Sequence, residues 1–167
     1  ARTDGPHGPE YELLAAGKEL ATLVSALATW GQRWLRRQPS REDLDLEPVL
    51  IDMQRRVSFP ALPTQPLVVR FEIRGYRRRY MLLKKNEASI CESNLGFPEP
   101  VCVRGPLAAL VSWWRGDMSF VEAQRNGLAI EGPKAFTRAF PKWFKLYPFA
   151  HIGPAGHETN KSPARVL

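Results

Sequence analysis

Side chains that could carry out acid–base or nucleophilic chemistry are few in this 167-residue chain. The three histidines, His7, His151 and His157, all fall in segments predicted to be tails, so none is placed to act as a general base in a pocket. The two cysteines, Cys91 and Cys102, are too few for a disulfide framework or a closed structural zinc site. We therefore predict no catalytic residue, no metal site and no cofactor.

The glycines and carboxylates do not complete a catalytic or nucleotide-binding motif either. The glycines between residues 116 and 132 do not follow a strand with the Gly-x-Gly-x-x-Gly spacing, and there is no glycine–lysine–serine/threonine of a phosphate loop. The carboxylates in the region predicted to fold stand singly beside basic residues, which is typical of surface ion pairs. The chain is therefore expected to be a binding protein and not an enzyme.

The charge and hydropathy patterns bear on where the chain acts. The formal net charge is +7, but no segment is a block of like charge, and the arginine run at residues 77–79 falls at a predicted hairpin turn exposed to solvent. A nucleic-acid-binding module is an alternative, although basic and aromatic residues are not interleaved. Residues 20–31 are uncharged but too short to span a bilayer, and no signal-peptide pattern opens the chain. A cytoplasmic protein is expected.

The elements that must position any binding site are clearest between residues 101 and 149. Pro106 suits the first turn of a helix, Ser119 and Glu122 fit a capping box at the start of another, and Gly127 suits the left-handed end of that helix. The predicted order is strand, helix, helix, strand, helix, over residues 101–104, 106–115, 118–126, 128–130 and 133–144.

The residues before this region predict the rest of an α+β fold. Alternating apolar residues predict a strand over 67–74, with one buried and one wet face, and shorter strands follow over 80–84 and 88–91. A helix is expected to begin at residues 40–43 and to bury Leu46, Val49, Leu50 and Met53. We predict a five-stranded, mostly antiparallel sheet covered by helices on one face. A long N-terminal helix precedes it.

That long helix, over residues 13–37, has an apolar face that runs through about four turns. An apolar face of this length needs a partner, which is either the helix's own domain or the same helix of another copy. We predict a homodimer through this helix, and the side chains expected at the contact are Leu20, Leu23, Leu27, Trp30 and Trp34.

Many aromatic residues are gathered in the C-terminal half of the chain, and two interpretations remain open for them. They could fill a well-packed core, or they could line an apolar pocket. Sequence spacing does not separate the two interpretations, because both place the same residues inside the protein.

Several ordered motifs carry a family resemblance over about residues 42–150. Val103-Arg104-Gly105-Pro106-Leu107-x-x-Leu110, Trp114-Arg115-Gly116 and Ala123-x-x-x-Gly127-x-x-x-x-Gly132 resemble the sterol carrier protein type two family. Ile90-Cys91-Glu92, Phe140-Pro141-Lys142-Trp143 and Pro148-Phe149-Ala150 are similar to the version behind the winged helix of HxlR-type bacterial transcription regulators. The resemblance implies a cavity for a lipid or another apolar small molecule, lined by Phe71, Met81, Leu110, Trp113, Trp114, Phe120, Phe140 and Trp143.

The start of the long helix extends this resemblance. Tyr11-Glu12-Leu13-Leu14-Ala15-Ala16-Gly17-x-x-Leu20 resembles the last wing strand and closing helix of the HxlR-type winged helix, with Leu14 where the family usually has threonine. The resemblance implies a ligand-sensing, dimerising region of a regulator that would bind DNA only through a winged helix largely missing from this chain. The alternative is a stand-alone lipid or sterol carrier-type protein, or a non-catalytic domain of a larger enzyme. The predicted division is a flexible start and long helix at 1–38, a carrier-like domain at 39–150 and a disordered tail at 151–167.

Overall fold

The computed structural model describes residues 2–5, 8–35 and 44–153 of the chain. The chain divides into two units, one of residues 1–37 with 152–167 and the other of residues 38–151. The predicted disorder after residue 153 and the predicted helix start at residues 40–43 lie outside the described residues.

The first unit contains a hairpin and one long helix. Strand β1 (Arg2–Gly5) pairs antiparallel with β2 (Gly8–Tyr11), where the lack of periodicity predicted a flexible start. A two-stranded hairpin needs only backbone pairing and a turn, so apolar periodicity does not reveal it. Helix α1 (Ala15–Trp34) follows and confirms the long helix, beginning two residues later than predicted.

The second unit is built on a five-stranded sheet. Its strands are β3 (Leu67–Ile73), β4 (Arg79–Lys84), β5 (Glu87–Cys91), β6 (Val101–Gly105) and β7 (Ala129–Glu131). Their order is β5-β4-β3-β6-β7, and every neighbouring pair is antiparallel except β3 and β6. The predicted α+β class and the mostly antiparallel sheet are confirmed.

Among the described residues of the second unit, four α-helices accompany this sheet: α2 (Leu46–Arg55), α3 (Leu107–Trp114), α4 (Phe120–Arg125) and α5 (Lys134–Ala139). Helix α2 begins at Leu46, where the Asp45 carboxylate accepts a hydrogen bond from the Glu47 N–H at 3.2 Å. The helix predicted over 133–144 instead ends at Ala139 and continues as a 3₁₀ turn, Phe140–Trp143. Pro141 has no N–H to continue the α-helical pattern, which explains the change.

The predicted capping box at the start of α4 is confirmed. The Ser119 hydroxyl accepts a hydrogen bond from the Glu122 N–H at 3.2 Å, and the Glu122 carboxylate accepts one from the Ser119 N–H at 2.7 Å. Gly127 has φ +91°, the left-handed conformation predicted for it. These caps orient the short helix that carries Phe120 towards the core.

Side chains alternate across the sheet as the sequence predicts. Leu67, Val69, Phe71 and Ile73 of β3 belong to one buried cluster together with apolar residues of α2, α3 and α4. The opposite face of β3, predicted to be wet, carries the partly buried Arg70 and Glu72, but Val68 on the same face is buried. The helices therefore pack on one face of the sheet, and the hydrophobic core lies between them. No helix in the described ranges is both long enough and apolar enough to cross a membrane.

The arginine run at residues 77–79 is more than an exposed turn. Arg79 is the first residue of β4, and its Nε lies 2.9 Å from the Glu47 carboxylate of α2. Arg78 lies 3.0 Å from the Glu72 carboxylate of β3. Two of the three arginines therefore connect the turn to neighbouring elements, a role that local sequence does not reveal because both acids are distant in sequence.

Candidate ligand-binding site

The eight predicted ligand-binding residues come together between the sheet and the helices. Phe71 and Met81 lie on β3 and β4, Leu110 lies on α3, and all three side chains have no exposed surface. The remaining five are aromatic residues from α3, α4 and the last 3₁₀ turn: Trp113, Trp114, Phe120, Phe140 and Trp143. The structure therefore groups all eight in or against a single apolar cluster.

The rings of this cluster form a continuous series of contacts in space. Phe120 lies 5.2 Å from Trp113 and 6.2 Å from Phe140, and Phe140 lies 5.9 Å from Trp143, measured between ring centroids. Most of these pairs are edge-to-face or tilted, which is the preferred geometry of aromatic contacts. Trp113, Phe140 and Trp143 are buried, whereas Phe120 is only partly buried. Phe120 is thus the member of the predicted set that borders solvent.

Two further rings belong to the cluster and were not among the predicted site residues. Phe136 of α5 lies 6.1 Å from Trp143, and Phe144 lies 5.4 Å from Phe140. Phe136 is partly buried, as Phe120 is, so the buried pair Phe140 and Trp143 is flanked by one partly exposed ring on each side. Both residues lie within residues 133–144, which the sequence predicts as the last helix, and their apolar spacing could have indicated that they join the cluster.

The indole N–H groups of Trp114 and Trp143 differ in their environment. Trp114 Nε1 donates to the Asp52 carboxylate of α2 at 2.9 Å, and Arg56 Nε donates to the same carboxylate at 3.2 Å. Trp143 Nε1 is buried, and no hydrogen-bond partner for it lies within the described residues. Since buried polar groups are nearly always paired, Trp143 is the chemically unusual member of the site.

The opposite face of the sheet carries a network of charges centred on Glu72. The Glu72 carboxylate lies 2.6 Å from Arg104, 3.0 Å from Arg78 and 3.1 Å from Arg70, and Arg70 also lies 2.6 Å from Glu99. Desolvation, the largest single effect, raises the pKa of Glu72, but the hydrogen bond from Arg104 and the charges of all three arginines together lower it. This face therefore satisfies its own charges and is distinct from the apolar site.

Replacing Glu72 by glutamine is expected to destabilise the fold at neutral pH and to have a smaller effect in acid. A glutamate whose pKa is lowered by folding stabilises the fold above its ordinary pKa, and this contribution is lost as the pH falls through the folded-state pKa. The gap in urea midpoint between Glu72→Gln and the parent chain should therefore close below about pH 4.5. Glu92→Gln is the control, because Glu92 is 87% exposed and 4.0 Å from Arg79. A gap that is independent of pH would contradict the prediction.

A charged cavity of about 340 Å³ lies beside the N-terminus of α2. It is lined by Asp45, Leu46, Glu47, Gly75, Tyr76, Arg77 and Arg79. Arg79 and Glu47 pair with each other, and the Tyr76 hydroxyl donates to the Leu44 carbonyl at 2.7 Å. Because its polar groups are charged and largely paired within the protein, this cavity does not suit an apolar ligand.

The predicted dimer residues lie on an exposed face of α1. Leu20, Leu23, Leu27, Trp30 and Trp34 expose between 49% and 67% of their surface. The helix has 20 residues and is therefore about 30 Å long. Exposed apolar side chains from Leu20 to Trp34 form an apolar stripe of the kind that marks an interaction surface.

Metal-binding groups do not converge anywhere in the described part of the chain. Within those residues, no three His, Cys, Asp or Glu side chains are placed to hold a metal ion together. The geometry of the apolar cluster offers apolar surface and indole donors, a combination suited to binding.

Comparisons with known proteins add little to this geometry. No family model matches the chain, and no curated protein matches it. A solved structure described as "UbiJ-SCP2 Ubiquinone synthesis protein" is similar over 72% of this chain and 95% of that chain, with 12% sequence identity and a TM-score of 0.43. A likeness this distant does not bear on what the chain binds.

Proposed function

We propose that this chain binds an apolar small molecule or lipid between its sheet and helices, without catalysing a reaction. The observation that carries the proposal is the row of touching rings Phe120, Phe140, Trp143 and Phe136, which is buried in the middle and partly exposed at both ends. A ligand would enter where Phe120 and Phe136 border solvent, and it would pack against Phe140 and Trp143. Burial of its apolar surface supplies the driving force, at roughly 25 cal/mol per Å².

Uptake of apolar compounds tests this proposal. The intrinsic tryptophan fluorescence of the chain is expected to change in a saturable way with a fatty acid, a sterol or an apolar dye, since Trp113 and Trp143 lie in the ring cluster. If no compound in such a panel produced saturable binding, the proposal would be overturned.

Phe120→Ala is expected to weaken that binding about fivefold, because the ligand loses an aromatic contact of roughly 1 kcal/mol. Val121→Ala is the matched control, since Val121 is the next residue of α4 and is 55% exposed. Its affinity should equal that of the parent chain. Equal losses in both variants would mean that α4, and not the Phe120 ring, determines binding.

The proposal includes self-association through the exposed stripe of α1. Leu20, Leu23, Leu27, Trp30 and Trp34 are spaced alternately by three and four residues, which is the spacing of the buried positions in a two-stranded coiled coil. A second helix with the same spacing fits such a stripe along its full length. The partner that best meets this requirement is α1 of another copy.

The charges beside the stripe favour an antiparallel pair. Glu19 and Arg33 each precede a stripe residue, Leu20 and Trp34, and residues at these positions flank the contact and select its orientation. In an antiparallel pair centred near residue 26, Glu19 of each copy lies opposite Arg33 of the other. In a parallel pair Glu19 lies opposite Val24 and makes no ion pair.

Charge exchange at these two positions tests both the pairing and its direction. Glu19→Arg and Arg33→Glu, made singly, place like charges opposite each other at two symmetric positions and are expected to raise the dimer dissociation constant about tenfold. The double exchange restores opposite charges and should recover the parent value. Sedimentation equilibrium measures all four chains. A double variant weaker than both single variants would exclude the antiparallel pair, and a monomeric parent chain would favour the stand-alone carrier alternative.

The finer part of the proposal is a role as the ligand-sensing, dimerising region of a bacterial HxlR-type regulator. The hairpin of β1 and β2 immediately before α1 supports it, because the sequence at residues 11–20 resembles a wing strand and its closing helix. A ligand would regulate such a dimer only if it bound one arrangement of the two copies better than another. The reading frame upstream of Ala1 tests this role, since a helix-turn-helix is expected there and a different domain would contradict it.

A further inference from the structure

Trp143 is held rigidly in the middle of the proposed site. Its side chain has no exposed surface, and its ring meets those of Phe136 and Phe140 edge-to-face at 6.1 and 5.9 Å. Its carbonyl oxygen accepts a hydrogen bond from the Ser58 N–H at 2.7 Å, and the next residue, Phe144, bridges to Val57. The indole N–H therefore cannot easily turn towards solvent.

That N–H is the buried indole donor of the ring cluster for which the described residues supply no acceptor. An indole nitrogen only donates hydrogen bonds, so Trp143 requires an acceptor. The described residues supply none to Trp143 Nε1, whereas Asp52 supplies one to Trp114. The faces of neighbouring rings are weak acceptors and do not replace a hydrogen bond. An unpaired buried donor is costly, and a ligand oxygen would relieve that cost.

The surroundings also restrict the charge of such a ligand. The rings in contact with the Trp143 indole are those of Phe136 and Phe140, and both are apolar. A carboxylate placed there would lose its hydration without gaining a cation, which is strongly unfavourable. A carbonyl, ester or hydroxyl oxygen can accept the hydrogen bond without that penalty.

We propose that Trp143 selects the ligand, and that the site takes an uncharged apolar molecule with one carbonyl or hydroxyl oxygen that accepts a hydrogen bond from Trp143 Nε1. This inference rests on the proposed function, since it specifies the ligand of the same site. It distinguishes a neutral lipid alcohol, ketone or ester from both a plain hydrocarbon and a fatty-acid anion.

The test compares ligands of one chain length on the full chain. Affinities of dodecanol, dodecan-2-one, dodecane and dodecanoate are measured by displacement of an apolar dye from the parent chain and from Trp143→Phe, which removes the N–H but keeps an aromatic ring. The alcohol and the ketone are expected to bind the parent most tightly and to lose about five- to tenfold in the variant, with dodecane unchanged. Trp114→Phe is the control variant, because the N–H that it removes donates to Asp52 in the parent chain. In this variant the affinities for dodecanol and for dodecane should change by the same factor.

A second measurement does not depend on the variant's folding. In the ¹⁵N-labelled parent chain, the indole N–H resonance of Trp143 should move downfield with dodecanol and not with dodecane. If alcohol and alkane bind equally and the resonance does not move, the inference is overturned while the proposed function stands. If the dye binds but none of the four compounds displaces it, the inference is likewise overturned. If neither the dye nor any of the four compounds binds, the proposed function itself fails.

Discussion

Replacing Phe140 by alanine is expected to lower the free energy of unfolding by about 3–5 kcal/mol. The Phe140 side chain has no exposed surface, and its ring lies within 6.2 Å of those of Trp113, Phe120, Trp143 and Phe144. Removing it forfeits the burial of a whole ring and leaves a cavity that four other rings cannot fill without moving. Urea unfolding, followed by circular dichroism, measures the loss.

The control for this prediction is Phe97→Ala. Phe97 lies half-buried in the loop between β5 and β6, and its ring has Lys84 Nζ 5.9 Å from the centroid. The same substitution there should cost about 1 kcal/mol or less. A loss below about 2 kcal/mol at Phe140 would contradict the tight packing of its neighbours.

Gly132→Ala is expected to destabilise the fold by more than about 2 kcal/mol, since backbone strain and steric overlap act together. Gly132 joins β7 to α5 with φ +144°, and a Cβ atom at this position would overlap the carbonyl oxygen of Pro100. The overlap is with backbone, so it cannot be relieved by rotating a side chain. Either β6 or β7 must shift, and α5 with its ring Phe136 shifts with β7.

Gly75→Ala separates the two causes of this expected loss. Gly75 also has a positive φ, +87°, but a Cβ atom there would meet nothing within 4 Å. Its substitution should therefore cost only the backbone strain, about 1 kcal/mol. Unfolding midpoints of the two variants in the same buffer give the comparison. Equal losses of stability in the two variants would show that the overlap with the Pro100 carbonyl oxygen is relieved at no cost in free energy.

These expectations bear on the proposed function because, in that proposal, the same ring cluster stabilises the fold and binds the ligand. Phe140 and Trp143 are fully buried and stabilise the fold, whereas Phe120 and Phe136 are partly exposed and cost less to displace. Variants at the two outer rings should therefore change binding more than stability. Substitutions at Phe140 should change stability more than binding. Their effect on binding can be interpreted only after the loss of stability has been measured.

Local features of the sequence predicted much of this protein. Apolar periodicity predicted α1 and the two faces of β3, and the Ser119–Glu122 pair predicted the start of α4. The family resemblance supplied the eight ligand residues, of which seven are buried and Phe120 is partly exposed. These predictions succeed because helix caps, turns and side-chain alternation depend on residues a few positions apart. The dimer and the regulator role were also predicted from the sequence, and they remain predictions.

Other features were decided only by tertiary structure. The parallel pairing of β3 with β6, which sets Val69 opposite Val101, joins segments separated by the whole of β4 and β5. The bond from Trp114 to Asp52 spans 62 residues, and the unpaired N–H of Trp143 depends on which groups surround it in space. Sequence spacing does not predict such neighbours, because a hydrogen bond or ion pair forms wherever folding brings two groups within about 3 Å. The sequence alone thus predicted the apolar faces of most elements, and the fold decided which side chains meet and which polar group a ligand would have to satisfy.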